Sequence, residues 1–454
     1  MAMAKPIYQW IVSELETAIV HQHYRPGMQL PSVRELCSTY HCSKSTAVKA
    51  YETLKNQHLV YSVPQSGYYI VENLMLGQEQ DSSTIDFSTG NPISGAVHTP
   101  DLKHCLDRAV DLYRYHAVDH DIKGIASLRE LLVSYLAAFQ VFTKTENLLV
   151  SLGAQPVLSI LTQMPFPNGR DTVLVEQPTY GYYLDFLKFC GCKVRGIPRE
   201  RAGIDLDRLE DLFKRGAIKF FYTVPQNHNP LGTAYRRAER KAIAELAARY
   251  DVYIVEDDYF GDVMSGPGYD PVFAFGDHRH HIYLKTFTKI LPWLRIGLVV
   301  LPSGLLPTFE RYIELSYYYS YFTPSLISQA TLEIYIRSNL LKKHAAAFGK
   351  VLRDRLRCLE RNIPSLAECG VQWTGGGSGP YSYLKLPAAV SEGELLAALK
   401  AQQILLAAGD SYYLDPSAYE KGVRLSIART DPGMIERGVA AIAAELRQQL
   451  VKHR

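Results

Sequence analysis

Tyr283-Leu284-Lys285-Thr286-Phe287-Thr288-Lys289 is a short apolar run that ends in two hydroxyls and a lysine, with Arg295 six residues beyond Lys289. It reads as a strand whose polar residues collect at its carboxyl end. Upstream, Tyr250-Asp251-Val252-Tyr253-Ile254-Val255-Glu256-Asp257-Asp258-Tyr259-Phe260 repeats the design, an apolar strand running into three consecutive acids. In open α/β sheets ligands sit beyond the carboxyl ends of strands, so both strand ends are candidate site positions. Each has a plainer reading when taken alone. A lysine after a strand is usually a surface residue, Lys285 competes with Lys289, and Glu256 and Asp258 read as acids of a solvated loop. Asp257 stands apart because Tyr259 follows it by two residues.

Further outward, His228-Asn229-Pro230-Leu231-Gly232 forms a turn after the strand Phe220-Phe221-Tyr222-Thr223-Val224. Gly153-Ala154-Gln155 precedes a helix, and Tyr180 follows Glu176-Gln177-Pro178-Thr179. Strand-like runs at 171–176, 218–224, 252–255 and 282–284 alternate with helical stretches at 206–214 and 236–250. That alternation predicts a largely parallel sheet covered by helices. From about 320 a long helical stretch leads to a second α+β segment ending at 423–428, a smaller C-terminal subdomain.

Pyridoxal phosphate demands a lysine for its imine, an acid opposite the pyridine nitrogen, donors to the ring oxygen and anion-binding groups for the phosphate. These segments supply that set. Lys289 is the imine former, and Thr286, Thr288 and Arg295 are placed for the phosphate, aided by backbone donors of Gly153, Ala154 and Gln155. Asp257 would keep the ring nitrogen protonated, Asn229 would bond the ring oxygen, and Tyr180 would stack on the ring. In this order, over roughly residues 85–450, the segments resemble the fold-type I aminotransferases. The resemblance implies Tyr259 beside Asn229 on the ring oxygen, and Arg424 of Gly422-Val423-Arg424-Leu425-Ser426 on the carboxylate of an amino-acid-like ligand. It also implies a homodimer with sites at its interface, and Tyr115 reaching the neighbour's phosphate. Two departures bear on the pocket: Leu231 replaces a common Thr, and Arg295 lies one residue closer to Lys289 than is usual. Gly375-Gly376-Gly377-Ser378-Gly379-Pro380 leads into a strand, whereas a dinucleotide loop opens a helix, so it reads as a flexible loop at the pocket edge. Tyr317, Tyr318, Tyr319 and Tyr321 read as interface or pocket-lining aromatics.

The amino-terminal end has another pattern. Ile7, Trp10, Ile11, Leu15, Ala18 and Ile19 fall at helical spacing; a second helix starts at Ser32 with Glu35 in capping-box register; a third opens at Ser43. Two short strands around Pro64-Gln65-Ser66 complete a winged helix-turn-helix plan. The start of the third helix would face the major groove, and Lys44, Ser45, Thr46 and Lys49 stand there. Arg34 and the wing glycine Gly67 are placed to approach phosphates. Residues 6–71 resemble the GntR family of winged-helix repressors through the runs Tyr24-Arg25-Pro26-Gly27-Met28-Gln29-Leu30-Pro31-Ser32-Val33-Arg34-Glu35-Leu36 and Ser43-Lys44-Ser45-Thr46-Ala47-Val48-Lys49-Ala50-Tyr51-Glu52-Thr53-Leu54. Lys44 stands where that family often has Arg, and lysine lacks the planar fork for guanine.

The net charge of +3 over 454 residues does not by itself announce nucleic-acid binding. The seven cysteines form no CxxC pair, so neither a zinc site nor a disulfide framework is indicated, and no metal is expected. No apolar run is long enough for a membrane span, which points to the cytoplasm and, with the DNA head, the nucleoid. The expected organisation is a DNA-binding domain at 1–71, a short polar linker at 72–84 and an aminotransferase-like domain at 85–454. Head and body together resemble the MocR/GabR subfamily of regulators. The resemblance implies operator binding that responds to pyridoxal phosphate, or to an amine or amino-acid effector, through imine exchange at Lys289. The alternative is an active aminotransferase carrying an accessory DNA-binding head.

Overall fold

The computed structural model describes residues 6–20, 23–71, 84–91, 99–114, 121–264, 268–320 and 322–452, the side chains of 20 and 316–320 excepted. Tyr115, Tyr321, the side chains of Tyr317, Tyr318 and Tyr319, and all of the expected linker but Thr84 lie outside this set. The chain divides into two compact units, Met1–Ser83 and Thr84–Arg454.

In the first unit, α1 (Ile7–Val20) buries Ile11, Leu15 and Ile19. The next helix, α2 (Val33–Thr39), is fixed by a capping box in which Ser32 Oγ accepts from the Glu35 amide and Glu35 accepts from the Ser32 amide. Ser43 caps α3 (Lys44–Asn56), whose Ala47, Ala50, Tyr51 and Leu54 close the core. The hairpin pairs β1 (Val60–Val63) with β2 (Gly67–Ile70). Tyr51 ties it to the helices, its ring stacked 4.1 Å from that of Tyr68 and its hydroxyl bonded to the Pro31 carbonyl.

The second unit opens on a two-residue strand, β3 (Ile85–Asp86). Its main sheet contains β4 (Leu148–Ser151), β5 (Thr172–Gln177), β6 (Val194–Glu200), β7 (Gly203–Ile204), β8 (Ile218–Thr223), β9 (Tyr253–Asp258), β10 (His281–Thr286) and β11 (Gly297–Val300). The order is β4-β11-β10-β9-β8-β5-β6-β7. β6, β5, β8, β9 and β10 run parallel, whereas β11 is antiparallel to both β10 and β4. β4 therefore points the same way as β10, and the carboxyl ends of β4, β5, β8, β9 and β10 share one edge. Helices cover both faces, which is why β5, β8 and β10 are buried throughout rather than alternating with water. The smaller subdomain carries β12 (Gln372–Thr374), β13 (Tyr381–Lys385), β14 (Ile404–Leu405), β15 (Ala407–Ala408) and β16 (Gly422–Ser426), with β3 paired to β14. The antiparallel sheet β12-β13-β16-β15 places Arg424 opposite Tyr383.

Lys285 is fully buried, its ammonium 2.9 Å from Asp258 and 3.1 Å from Asp262. It is a structural cation rather than a surface decoy for Lys289. Removing one member of a buried ion pair leaves the other charge stranded, at a cost of about 3–5 kcal/mol. Lys285→Met should lower the unfolding midpoint of the full-length protein far more than Lys289→Met does. Equal shifts in denaturant titrations would contradict this placement.

Candidate functional site

Successive side chains on a strand point to opposite faces. On β9, Tyr253 and Val255 share a core with Phe220 and Tyr222 of β8 and with Ile282 and Leu284 of β10. Asp257 and Thr286 continue that face at the shared edge. Asp257 is buried, and its Oδ2 accepts from the Tyr222 hydroxyl at 2.9 Å. Its Oδ1 has no hydrogen-bond partner among the described residues. Burial pushes the carboxyl up to about 7; the Tyr222 bond works against this, the Asp258 charge adds to it, and the Lys289 charge opposes it.

Glu256 and Asp258 take the opposite face, and the structure corrects their reading as solvated acids. Glu256 is buried and accepts from the amides of Val272 and Phe273 at 3.0 and 2.8 Å. Asp258 holds Lys285 and the Tyr283 hydroxyl.

Along the edge, Thr286 pairs with Gly297 and Gly297 with Ser151, which lines up β10, β11 and β4. Two residues past Ser151, Gly153 adopts φ 109° and starts the helix Ala154–Gln163; a Cβ there would meet nothing within 4 Å. The first amides of that helix, Thr286 and the following half-buried Thr288, and the exposed Arg295 just before β11 thus gather at one corner. Such a corner suits an anion. Lys289 is half-buried, its Nζ donating to Gly90 O at 3.1 Å and Asn91 Oδ1 at 2.8 Å.

The remaining candidates converge on the same place. Tyr180 precedes the helix Gly181–Phe189, and its hydroxyl accepts from Gln155 Nε2 at 2.9 Å. The Tyr259 ring lies 5.8 Å from Lys289 Nζ, while its hydroxyl is spent on the Asn227 carbonyl. Asn229 Oδ1 accepts from Arg424 Nη1 at 3.0 Å, which leaves the Asn229 amide nitrogen as the donor available to another group. Arg424 is buried, bonds the Ser88 carbonyl through Nη2, and faces the rings of Tyr381 and Tyr412 at 4.6 and 5.2 Å.

The glycine-rich segment is pinned rather than flexible: the Ser378 amide donates to Gly232 O at 3.1 Å, and Ser378 Oγ bonds both the amide and the side chain of Asn227. Sequence reasoning missed Tyr222, whose signal was its place on β8 facing the same core as Val255. It also missed Glu176, which accepts from Arg199, Thr223, the Val224 amide and Tyr235, and so ties the ends of β5 and β8 together.

In the first unit, Lys44, Ser45 and Lys49 are exposed and Thr46 is half-buried. The Ser43 cap engages the Thr46 amide and lies 2.9 Å from the hydroxyls of both Ser45 and Thr46. Lys49 Nζ sits 4.2 Å from the centre of the Tyr8 ring. Arg34 is exposed at the start of α2. Gly67 has φ 127°, and a side chain there would press on Gln29, which bonds the Ser66 carbonyl.

These features define a fold-type I aminotransferase unit carried behind a helix-turn-helix head. Residues 7–70 match the gntR family of bacterial regulatory proteins, and residues 83–442 match aminotransferase class I and II. The chain is 35% identical over 445 residues to the uncharacterized HTH-type transcriptional regulator YcxD of Bacillus subtilis, spanning 97% of this chain and 99% of that protein. It is 28% identical over 342 residues to aromatic-amino-acid aminotransferase 1 of Thermococcus litoralis, spanning 73% of this chain and 80% of that one. The kynurenine aminotransferase of Pyrococcus horikoshii shares the fold with a TM-score of 0.71 at 24% identity, over 82% of this chain and 92% of that one. The chain belongs to the aminotransferase class I and II family, which depends on pyridoxal phosphate, and its gntR-family head makes it a GntR-type regulator of the MocR/GabR architecture. The residues fit that cofactor on their own chemistry, since a buried, unpartnered carboxylate oxygen suits a pyridinium and the open helix start at Gly153 suits a phosphate.

Because the folded Asp257 carboxyl titrates above its unfolded value of 3.8, its protonated form favours the fold. That contribution is complete below about pH 4 and is lost as pH rises through about 7. In cofactor-free protein, Asp257→Asn should therefore flatten the fall in stability across this window by up to about 1.4 kcal/mol per pH unit. Superimposable pH profiles for wild type and variant would show that Asp257 is not the buried acid described.

Proposed function

We propose that the chain is a DNA-binding regulator whose operator affinity responds to pyridoxal phosphate and to an amino acid that reacts with it at Lys289. The observation that carries this reading is the convergence of Lys289, the unpartnered oxygen of Asp257 and the buried Arg424 on one sheet edge, in a chain with a gntR-family head. Pyridoxal phosphate supplies an electron sink for the chemistry of amines. In this reading Lys289 holds it covalently, Asp257 opposes the ring nitrogen, and Asn229 donates to the ring oxygen beside Tyr259. Tyr180 stacks on the ring, while Thr286, Thr288, Arg295 and the amides of Gly153, Ala154 and Gln155 hold the phosphate. Arg424 clamps the amino-acid carboxylate bidentately. The Tyr381 and Tyr412 rings beside it favour an apolar or aromatic side chain, in keeping with the aromatic-amino-acid relative. In the head, Lys44 and Lys49 neutralise phosphates, Ser45 and Thr46 approach base edges, and Arg34 and Gly67 contact the backbone. We place the regulator in the cytoplasm as a homodimer.

The test takes DNA selected by the wild-type protein from a random library and measures its binding with pyridoxal phosphate and each of the twenty common amino acids. Lys289→Ala should remove the cofactor absorbance and the response while leaving basal DNA binding. Arg424→Ala should keep the absorbance and lose the amino-acid response. Lys44→Ala should weaken DNA binding and lower its salt slope by about one unit without touching the absorbance. No response to any ligand, or rapid multiple-turnover transamination, would instead favour an enzyme with an accessory head.

A further inference from the structure

Tyr259 stands beside Lys289, yet the far end of its side chain is already engaged: its hydroxyl bonds the carbonyl of Asn227. Two oxygens in such contact repel unless a proton lies between them, and a carbonyl has none to give. The phenol therefore supplies it. Burial first, then the neighbouring Tyr381 and Asp257, keep that phenol protonated well above its ordinary range, against the opposing charge of Arg424. A tyrosine hydroxyl carries one proton, so towards any other group Tyr259 offers only lone pairs.

The residue it holds needs holding. Asn227 has φ 55°, in the left-handed region that side chains disfavour. Ser378 Oγ accepts from the Asn227 amide at 3.0 Å and donates to Asn227 Oδ1 at 2.8 Å, and the Tyr259 hydroxyl takes the carbonyl. Beyond it the turn is closed by the His228 amide on Thr233 O at 3.0 Å and the Gly232 amide on His228 O at 2.7 Å. Asn229 rides on this turn. Arg424 can only donate, so the oxygen of the Asn229 amide must face it, and the nitrogen is turned away as a donor for something else.

We infer that Tyr259 is a positioning residue that holds the turn 227–232, and that Asn229, without Tyr259, donates to the ring oxygen of the cofactor. The inference rests on the cofactor site proposed above and departs from the role that the aminotransferase resemblance implies for Tyr259. Its consequence is chemical. The ring oxygen carries negative charge and shares the proton of the imine formed with Lys289, and each donor to that oxygen weakens its hold on the proton. With one donor in place of two, the imine keeps its proton to higher pH. Removing the Asn229 amide should raise that pH further, whereas removing the Tyr259 hydroxyl should not.

The experiment uses full-length protein, cofactor-free and loaded with pyridoxal phosphate, isotope-labelled at asparagine carbonyl carbons and histidine nitrogens. Asn227-His228 is the one Asn-His pair in the chain, so the His228 amide reports a single carbonyl resonance, that of Asn227. Tyr259→Phe should move this resonance by the loss of a hydrogen bond in both forms, and loading the wild type should not carry it to the Tyr259→Phe position. A pH titration of the cofactor absorbance gives the second readout. Tyr259→Phe should titrate within about 0.3 unit of the wild type, and Asn229→Ala higher by about one unit or more. A resonance that Tyr259→Phe leaves in place, or that loading carries to the variant's position, would overturn the inference. So would a rise in Tyr259→Phe that matches the one in Asn229→Ala, or no rise in Asn229→Ala. A wild type that shows no cofactor absorbance would overturn the reading beneath it, and the resonance would still decide whether the hydroxyl is committed to Asn227.

Discussion

Three consecutive carboxylates end β9, and the sheet must accommodate all of them beside the ends of β8 and β10. The pleat separates them. Glu256 and Asp258 turn to one face, where two backbone amides and the Lys285 ammonium satisfy them. Asp257 turns to the other, where Tyr222 bonds one oxygen and the second has no partner among the described residues. A one-residue slip of β9 against its neighbours would exchange these faces, stranding Lys285 and removing the acid from the edge where Thr286, Gly153 and Lys289 gather. The register of this strand is thus the constraint on which the candidate site depends.

That constraint also explains what could be read from sequence. The strand-helix alternation, the polar residues at strand ends and the helical spacing of the head are local patterns, and the structure contains the elements they predicted. Partnership is not local. Nothing in the run 256–258 says which acid meets Lys285, because the answer needs the pairing of Lys285 with Asp258 across two parallel strands. Tyr222 looked like one more apolar residue of a buried strand until β8 and β9 became neighbours. The glycine-rich segment reads as a flexible loop because it leads into a strand rather than a helix, yet Ser378 within it bonds the amide and the side chain of Asn227.

The same distance in sequence hid the cations' present partners. Arg424 lies more than three hundred residues from Ser88, and Lys289 nearly two hundred from Gly90, so only the folded chain shows that neither cation is idle. Buried charge seeks an acceptor. In this protein the acceptors include the carbonyls of Ser88 and Gly90 and the side-chain oxygens of Asn91 and Asn229.

Coupling between two sites is reciprocal: if an amino acid changes operator affinity by some factor, operator DNA must change amino-acid affinity by the same factor. The most direct measurement is therefore the amino-acid titration of cofactor absorbance in the wild-type protein, with and without saturating operator DNA. The account predicts a shift in the amino-acid dissociation constant equal to the shift that the amino acid produces in operator binding. An amino-acid affinity indifferent to bound DNA would contradict it, whatever chemistry the site performs.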